Sequence, residues 1–311
     1  MKIVTIGELL VDLTQTGEDN GIPQYAANPG GAPANVAVAA SLMGCEAAFI
    51  GKVGNDAFGK TLVKTLQDKN VNTDGVILSD EFKTTLAVVS LDNQGERNFS
   101  FYRKNCADVN LKKEEIDLEL VKSADILHFG SVSLTDEPCF SAVEHAVKTA
   151  KENGAIISYD PNFRSLLWDD ENEAVAKMRS LLRYVDVIKV SEEELGLITG
   201  ESEPLRGIKA LIKSGVRIVL VTLGRNGAFY KTAKSSGWCD GMHVDVADTN
   251  GAGDAYFGAF LSKLDSIENF VANTDDCLKN ANEFACKAAG ISVMRSGAIP
   301  ALPTKAEVEN L

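Results

Sequence analysis

The sequence has few of the residues on which metal, redox and disulfide sites depend. Its 311 residues include three histidines, at positions 128, 145 and 243, and six cysteines, at positions 45, 106, 139, 239, 277 and 286. The cysteines form no C-x-x-C pair and show no Cys/His spacing typical of zinc, so we expect reduced thiols in a cytoplasmic protein. Each histidine is better explained as a structural residue than as a catalytic group or a metal ligand.

Positive charge is also scarce. Lysine and arginine total 31 against 44 acidic residues, which gives a formal net charge of −13. This balance argues against a nucleic-acid partner or an anionic membrane partner, since both need clustered basic residues. No apolar run reaches the roughly 18 residues of a membrane span, and Glu8 and Asp12 make the N-terminus too acidic for a signal peptide. A phosphate site in this chain would therefore depend on local donors and a metal cation.

Short apolar runs alternate with amphipathic stretches along most of the chain. Runs such as Lys2–Ile6 and Ile126–Phe129 are typical of buried parallel strands, and stretches such as Asp56–Lys69 are typical of helices. The alternation predicts an α/β fold with a doubly wound, mostly parallel sheet. We expect one domain over residues 1–311.

Two segments, at about 11–30 and 84–108, interrupt this pattern. In the second, the alternating runs Thr84–Leu91 and Arg97–Arg103 flank residues 92–95, whose composition suits a hairpin turn. We expect a small antiparallel sheet, which is too small to be stable by itself. It would form a lid on the main domain, or pair with a second copy of the chain in a homodimer.

The most informative motif is DTNGAGD, at residues 248–254, which precedes a predicted helix. The backbone N–H groups of Gly251, Ala252 and Gly253 would converge at the helix N-terminus and bind an anion. Asp254 beside them is suited to accept the proton of a hydroxyl that attacks a phosphoryl group. Taken alone, the motif is explained equally well by a first-turn acid that stabilises the helix dipole.

Other polar residues also lie where strands are predicted to end. Gly30, Gly31 and Asn35 belong to a second glycine-rich turn before a helix, which is either a ligand site or an ordinary connection with a helix-start proline. Asp12, predicted to close the first strand, is suited to bind two sugar hydroxyls. Arg164 follows a predicted strand and would hold a phosphate or substrate oxygen, or form a surface ion pair.

In this order the motifs resemble the ribokinase-like PfkB carbohydrate kinase family over essentially the whole chain. The segments that carry the resemblance are GELLVD at 7–12, PGGAPANVAVAASLMG at 29–44, FYRKNCADVNL at 101–111, DPNFR at 160–164, KVSEEEL at 189–195, TLGRNG at 222–227 and DTNGAGDAYFGAF at 248–260. Within the family they look most like the fructokinase branch, although 2-keto-3-deoxygluconate (KDG) kinases share several of them.

The resemblance implies a role for each matching position. Asp254 would be the catalytic base, with an anion hole at Gly251, Ala252 and Gly253. The implied sugar-binding positions are Asp12, Gly30, Gly31, Asn35, Tyr102, Arg103 and Arg164. The implied ATP-binding positions are Lys189, Ser191, Glu194, Thr222, Gly224, Gly227 and Cys286, with Glu194 organising magnesium through water. A potassium loop would involve Asp248, Asn250, Ser292, Arg295 and Gly297.

The implied activity is an ATP-dependent sugar kinase, most similar to a fructokinase that phosphorylates the 6-hydroxyl of fructose. Tyr102 and Arg103 are neighbours on one predicted strand, so only one should face the sugar. Tyr102 there would favour fructose, and Arg103 would favour the acidic sugar of a KDG kinase. A nucleoside kinase and a non-catalytic sugar or nucleotide sensor also remain open, whereas a dinucleotide-binding reductase would need a G-x-G-x-x-G after the first strand.

The chain departs from the family pattern at four positions. Ser191 replaces the usual asparagine, which puts one phosphate or magnesium contact in doubt. Asn250 and Tyr256 are conservative changes within the DTNGAGDAY segment. Cys286 replaces an asparagine common near the adenine of ribokinases and suggests an apolar adenine slot. Since none of these changes removes the base or the anion hole, we expect an active enzyme.

Overall fold

The computed structural model describes residues 1–91, 97–264 and 275–311, and the predicted turn at 92–95 lies outside them. The strands are β1 (Lys2–Ile6), β2 (Leu10–Asp19), β3 (Ile22–Gly30), β4 (Glu46–Gly54), β5 (Val71–Asn72), β6 (Val76–Ser79), β7 (Leu86–Leu91), β8 (Arg97–Tyr102), β9 (Ile126–Gly130), β10 (Ile156–Asp160), β11 (Val187–Ser191), β12 (Ile218–Thr222), β13 (Ala228–Lys231) and β14 (Ser236–Cys239). The helices are α1 (Ala32–Leu42), α2 (Ala57–Asp68), α3 (Leu118–Lys122), α4 (Cys139–Glu152), α5 (Glu171–Ser180), α6 (Glu192–Thr199), α7 (Pro204–Lys213), α8 (Ala252–Ser262), α9 (Asp275–Ser292) and α10 (Lys305–Glu309).

The larger sheet has the order β14-β13-β12-β11-β10-β9-β1-β4-β5, with β6 also paired to β4. Its pairings are parallel from β12 through to β5, and only β13 and β14 run antiparallel to their neighbours. Successive strand residues point to opposite faces of the sheet, so the apolar strands present an apolar surface on each side. Helices cover both of these surfaces. Val4 and Leu127 pack in a cluster with α4 to α7, whereas Ile3 and Ile126 pack in a cluster with α1, α8 and α9. The predicted doubly wound α/β fold is confirmed.

The smaller sheet contains the predicted strands and one more. Its order is β3-β2-β7-β8, in which each hairpin is antiparallel and the two hairpins meet through a parallel pairing of β2 with β7. The first interrupting segment therefore supplies two strands. The turn between them is Asn20–Gly21, and both residues have positive φ, 51° and 80°. An Asn-Gly pair of this kind is a strong hairpin signal.

Helices α1 and α8 bring the two glycine-rich motifs together. They pack closely because Gly258 of α8 lies against Ala39 of α1, where a Cβ would overlap the alanine. The N-terminus of each helix thereby reaches the same edge of the main sheet. In the described part of the chain, no helix has the length and apolar character needed to cross a membrane.

Candidate active site

Two cavities lie on either side of the N-terminus of α8. The larger, of about 950 Å³, is lined by Ala252 and Gly253 of α8 together with the turns that follow β12 and β14. The smaller, of about 400 Å³, is lined by Asn250, Gly251 and Asp254 together with residues of α1 and of the smaller sheet. A single helix start therefore presents one set of groups to each cavity.

Gly251 makes this geometry possible. It caps α8 with a left-handed backbone, at φ 76°, and no side chain caps the helix. Glycine adopts the left-handed backbone without steric cost because it has no Cβ. No side chain therefore caps the first N–H groups of α8, although that of Ala252 donates to the carbonyl of Thr249 over 3.3 Å, and the anion site stays a prediction.

Asp254 is buried in the first turn of α8. Its Oδ2 accepts a hydrogen bond of 2.7 Å from Nδ2 of Asn35 on α1. Burial raises the pKa of Asp254, while Lys189, the Asn35 amide and Arg164 partly offset this effect. A buried carboxylate with an elevated pKa that lines the smaller cavity at the start of α8 is suited to act as a general base.

A buried ion pair lies behind the N-terminus of α8. Nζ of Lys189 is 2.7 Å from Oδ2 of Asp160, and it occupies the space into which a Cβ on Gly253 would project. Burial opposes the charge on Lys189, but Asp160, Glu194 and Asp254 together outweigh burial and raise its pKa. The lysine thus keeps a positive charge close to the backbone of Gly253.

Asp12 lines the smaller cavity, although its strand is not the one predicted. The first parallel strand ends at Ile6, and Asp12 lies on β2 of the smaller sheet. Its carboxylate lies where a Cβ on Gly30 would stand, so a side chain at position 30 would displace the Asp12 carboxylate. Burial raises the pKa of Asp12 to about 6, and the guanidinium of Arg164 opposes the shift. Gly31, Asn35 and Arg164 also line this cavity.

Neither Tyr102 nor Arg103 lies in the smaller cavity, and this corrects the expectation of direct sugar contact. Tyr102 is 65 % exposed. Arg103 is buried, with Nε donating to Asp108 at 2.7 Å and its terminal nitrogens donating to Thr135 and to the carbonyl of Val132. Arg103 is therefore occupied by the buried Asp108, which also accepts a bond from the hydroxyl of Thr85.

Other residues fill the places expected for Tyr102 and Arg103, and the sequence analysis missed them. Ala87 and Phe101 of the smaller sheet line the cavity. Phe101 directly precedes Tyr102 on β8, and Ala87 is its partner on β7. Glu8 also lines it, and its carboxylate accepts bonds from the N–H of Ala32 and the hydroxyl of Ser133. Glu8 stands in the GELLVD motif, so its acidic character was a signal that could have identified it.

The larger cavity contains four of the predicted ATP-binding residues: Thr222, Gly224, Gly227 and Cys286. Tyr256 lines it as well, and its hydroxyl donates to Oδ1 of Asn282, whose amide donates to the carbonyl of Ala228. These bonds connect α8, α9 and β13. The size and the partly apolar lining fit a nucleotide.

Lys189, Ser191 and Glu194 do not line either cavity in this structure. Ser191 caps α6 by accepting from the N–H of Glu194, and the Glu194 carboxylate accepts from the N–H groups of Ser191 and Phe163. Both carboxylate oxygens are thus already bonded once. Glu194 fits magnesium through its remaining lone pairs and a water, which suits a hard cation that keeps part of its hydration. In residues 1–91, 97–264 and 275–311, no cluster of three or more acidic, His or Cys residues suits a metal.

The predicted potassium loop is one connected structure. The carboxylate of Asp248 accepts from the N–H of Asn250 at 3.0 Å and from the N–H of Gly297 at 3.0 Å. The N–H of Arg295 donates to the carbonyl of the buried Ser292. Asp248 thereby joins the turn before α8 to the turn after α9 through bonds from two backbone N–H groups, and the potassium role of this loop stays a prediction.

The sequence pattern of the family described as pfkB family carbohydrate kinase matches residues 1–305. The chain is 43% identical over 311 residues to probable fructokinase-6, chloroplastic, of Arabidopsis thaliana, covering 98% of this chain and 81% of the relative. A fructokinase from Xylella fastidiosa with bound ATP superimposes with a TM-score of 0.93 at 31% identity, covering 99% of this chain and 97% of the other. A fructokinase double mutant from Vibrio cholerae O395, solved with fructose, ADP and a potassium ion, superimposes with a TM-score of 0.89 at 33% identity, covering 99% and 97%.

Proposed function

Since the chain belongs to the pfkB family of carbohydrate kinases, we propose that it is an ATP-dependent fructokinase that phosphorylates the 6-hydroxyl of fructose. The observation that carries this proposal is the N-terminus of α8 between two cavities. Asp254 lines the smaller cavity, and Gly253 lines the larger one. A hydroxyl in the first and a terminal phosphoryl group in the second would meet there.

On the sugar side, the chain supplies orientation and a base. Asp12 and Asn35 offer oxygens to the sugar hydroxyls, and Ala87 and Phe101 cover the ring from the smaller sheet. Asp254 accepts the proton of the attacking hydroxyl. Since the transition state of phosphoryl transfer is loose, this proton moves late and the base need not be strong. Fixing the hydroxyl next to the phosphoryl group supplies much of the acceleration.

On the nucleotide side, the chain supplies fixed positive groups. The N–H groups of Gly251, Ala252 and Gly253 would bind the transferring phosphoryl oxygens, that of Ala252 by giving up its bond to the carbonyl of Thr249, and the ammonium of Lys189 lies close to Gly253. Magnesium, when bound with ATP, neutralises phosphate charge. Glu194 would hold its water shell, and the loop of Asp248 would hold potassium.

The charges around the smaller cavity favour a neutral sugar. Arg103, which would have served an acidic sugar, forms a buried ion pair with Asp108 instead. Arg164 lines the cavity, and its positive charge lowers the pKa of two carboxylates, Asp12 and Asp254. A KDG kinase would need, for the carboxylate of its substrate, a positively charged group whose charge is not already offset by carboxylates of the protein.

Three further features complete the proposal. The smaller sheet acts as a lid over bound sugar, and its exposed Ile22, Tyr25 and Tyr102 are available to a second copy in a homodimer. Nucleic acids and membranes are not among the partners. We place the enzyme in the cytoplasm.

The experiment that tests the proposed function is ATP-coupled ADP release across fructose, glucose, ribose, KDG and adenosine. We expect the highest kcat/KM with fructose. A higher kcat/KM with KDG would overturn the assignment of substrate, and binding of sugar and ATP without any ADP release would favour the non-catalytic sensor. Asp254→Asn serves as the inactive control in every assay.

A further inference from the structure

Asn35 makes a contact that sugar binding alone does not require. It is 5 % exposed, in the first turn of α1, and its Nδ2 donates to Oδ2 of Asp254 over 2.7 Å. An ionised carboxylate only accepts hydrogen bonds, so the nitrogen of the amide must face it. The orientation of the Asn35 side chain is therefore fixed by Asp254.

The other end of the amide is unused. Oδ1 of Asn35 is buried without a hydrogen-bond partner, and Asn35 lines the smaller cavity. A buried acceptor without a donor is costly, and a ligand hydroxyl in the cavity would satisfy it. One amide thus has its donor on the base and its acceptor free for a ligand.

We propose that Asn35 is a positioning residue that aligns Asp254 with the sugar hydroxyl, in addition to contacting the sugar. By holding Oδ2, Asn35 leaves Oδ1 of Asp254 as the oxygen that takes the proton. The inference rests on the proposed function in so far as Asp254 is the base. The site of Asn35 is itself anchored, because the N–H of Ala32 at the start of α1 donates to Glu8.

The charged groups around Asp254 come from several elements. Lys189 on β11 and Arg164 after β10 favour its ionised form. The carboxylates of Asp12 on β2 and Asp160 on β10 interact unfavourably with it. These groups stay in place when Asn35 is replaced, so a change in the pH profile would report the lost hydrogen bond.

Two variants separate the two roles of Asn35. Asn35→Asp keeps the shape and the oxygen acceptor, but it removes the donor and sets a second carboxylate against Asp254. Asn35→Ala removes both donor and acceptor. Asn310→Ala, at an exposed position near the C-terminus, is the matched control and should leave kcat and KM unchanged.

We expect kcat at pH 7 to fall about 10-fold in Asn35→Ala and about 100-fold in Asn35→Asp, since misplacing a reacting group by a fraction of an ångström has effects of this size. The acid limb of the kcat profile should move to higher pH in both variants, because loss of a donor and gain of a like charge each favour the protonated base. Thermal unfolding checks that the variants are folded. Unchanged kcat and an unchanged acid limb in Asn35→Asp would overturn the proposal.

A double-mutant cycle supplies an independent readout. If Asn35 acts through Asp254, adding Asn35→Ala to Asp254→Asn should lower kcat by less than about 3-fold, against about 10-fold in the wild-type background. The same loss in both backgrounds would show that Asn35 acts only on the sugar. All assays use the sugar that the wild-type enzyme phosphorylates best. Failure of the wild type on fructose would therefore count against the proposed substrate, and the cycle would still decide the role of Asn35.

Discussion

Glu8 gives the sharpest test of the electrostatics of the site. Its side chain is buried at the floor of the smaller cavity, and burial raises its pKa from 4.5 to about 7, with the nearby Arg103 opposing the shift. Glu8→Gln removes the charge while keeping the shape. The amide oxygen can still accept from Ala32, and the amide nitrogen can donate to the hydroxyl oxygen of Ser133.

The sign of the effect follows from the direction of the shift. Because the folded state binds the proton more tightly than the unfolded chain, the wild type loses stability as the pH rises from about 4.5 through about 7. The full loss at pH 8 corresponds to about 3 kcal/mol, and it disappears at pH 4, where Glu8 is protonated in both states. Glu8→Gln lacks this loss. It should therefore be more stable than the wild type at pH 8 and equally stable at pH 4.

The measurement is thermal unfolding of both proteins at pH 4, 6 and 8. For a chain of this length, about 3 kcal/mol corresponds to a rise in Tm of about 5 °C at pH 8. Glu114→Gln, at an exposed position, is the control and should show no pH-dependent difference. A Glu8→Gln variant that is less stable than the wild type at pH 8 would refute the reasoning, because it would show that the buried carboxylate stabilises the fold in its charged form.

The remaining predictions concern Asp254 as the base, the buried ion pair of Arg103 with Asp108, and the smaller sheet as a lid. Asp254→Asn should lower kcat by about 100-fold or more with little change in Tm; ADP release and thermal unfolding measure this, and near-normal turnover would contradict the role of base. Arg103→Ala should lower stability by about 3 kcal/mol or more, because it leaves the buried Asp108 unpaired, and should confer no KDG activity; an unchanged urea midpoint would be contrary evidence. Saturating fructose should slow hydrogen exchange of the amides of Leu86–Leu91 and Arg97–Tyr102, and unchanged exchange there would rule out the lid.

Local pattern was sufficient to predict most of the fold. The central strands β1 and β9 to β12 are short, buried and mostly apolar runs, so their place in a parallel sheet followed from burial on both faces. The second strand of the first interrupting segment was missed because Ile22–Gly30 has little apolar alternation and lies at the edge of the smaller sheet. Its turn residues, Asn20 and Gly21, were the available signal.

The sequence identified those residues of the candidate site at which a helix start requires a special backbone conformation. Gly251 and Gly31 have positive φ, 76° and 110°, at the two helix starts, and both were identified from the sequence. The partner of Arg103 was not predictable, because Asp108 lies beyond the end of the strand and their contact depends on tertiary packing. The bond between Asn35 and Asp254 spans 219 positions of the chain, and only the packing of α1 against α8 creates it.

Burial of the groups that line the smaller cavity disfavours a negatively charged ligand there. Burial raises the pKa of Asp12 to about 6 and of Glu8 to about 7, which shows that negative charge is poorly solvated there. A ligand carboxylate would meet the same penalty and, in addition, the repulsion of Asp12 and Asp254. Sugar hydroxyls carry no such penalty, and they supply the donors that the oxygens of Asp12 and Asn35 lack. The same desolvation that raises the pKa of Asp254 therefore favours a neutral sugar in this cavity, although Arg164 also lines it.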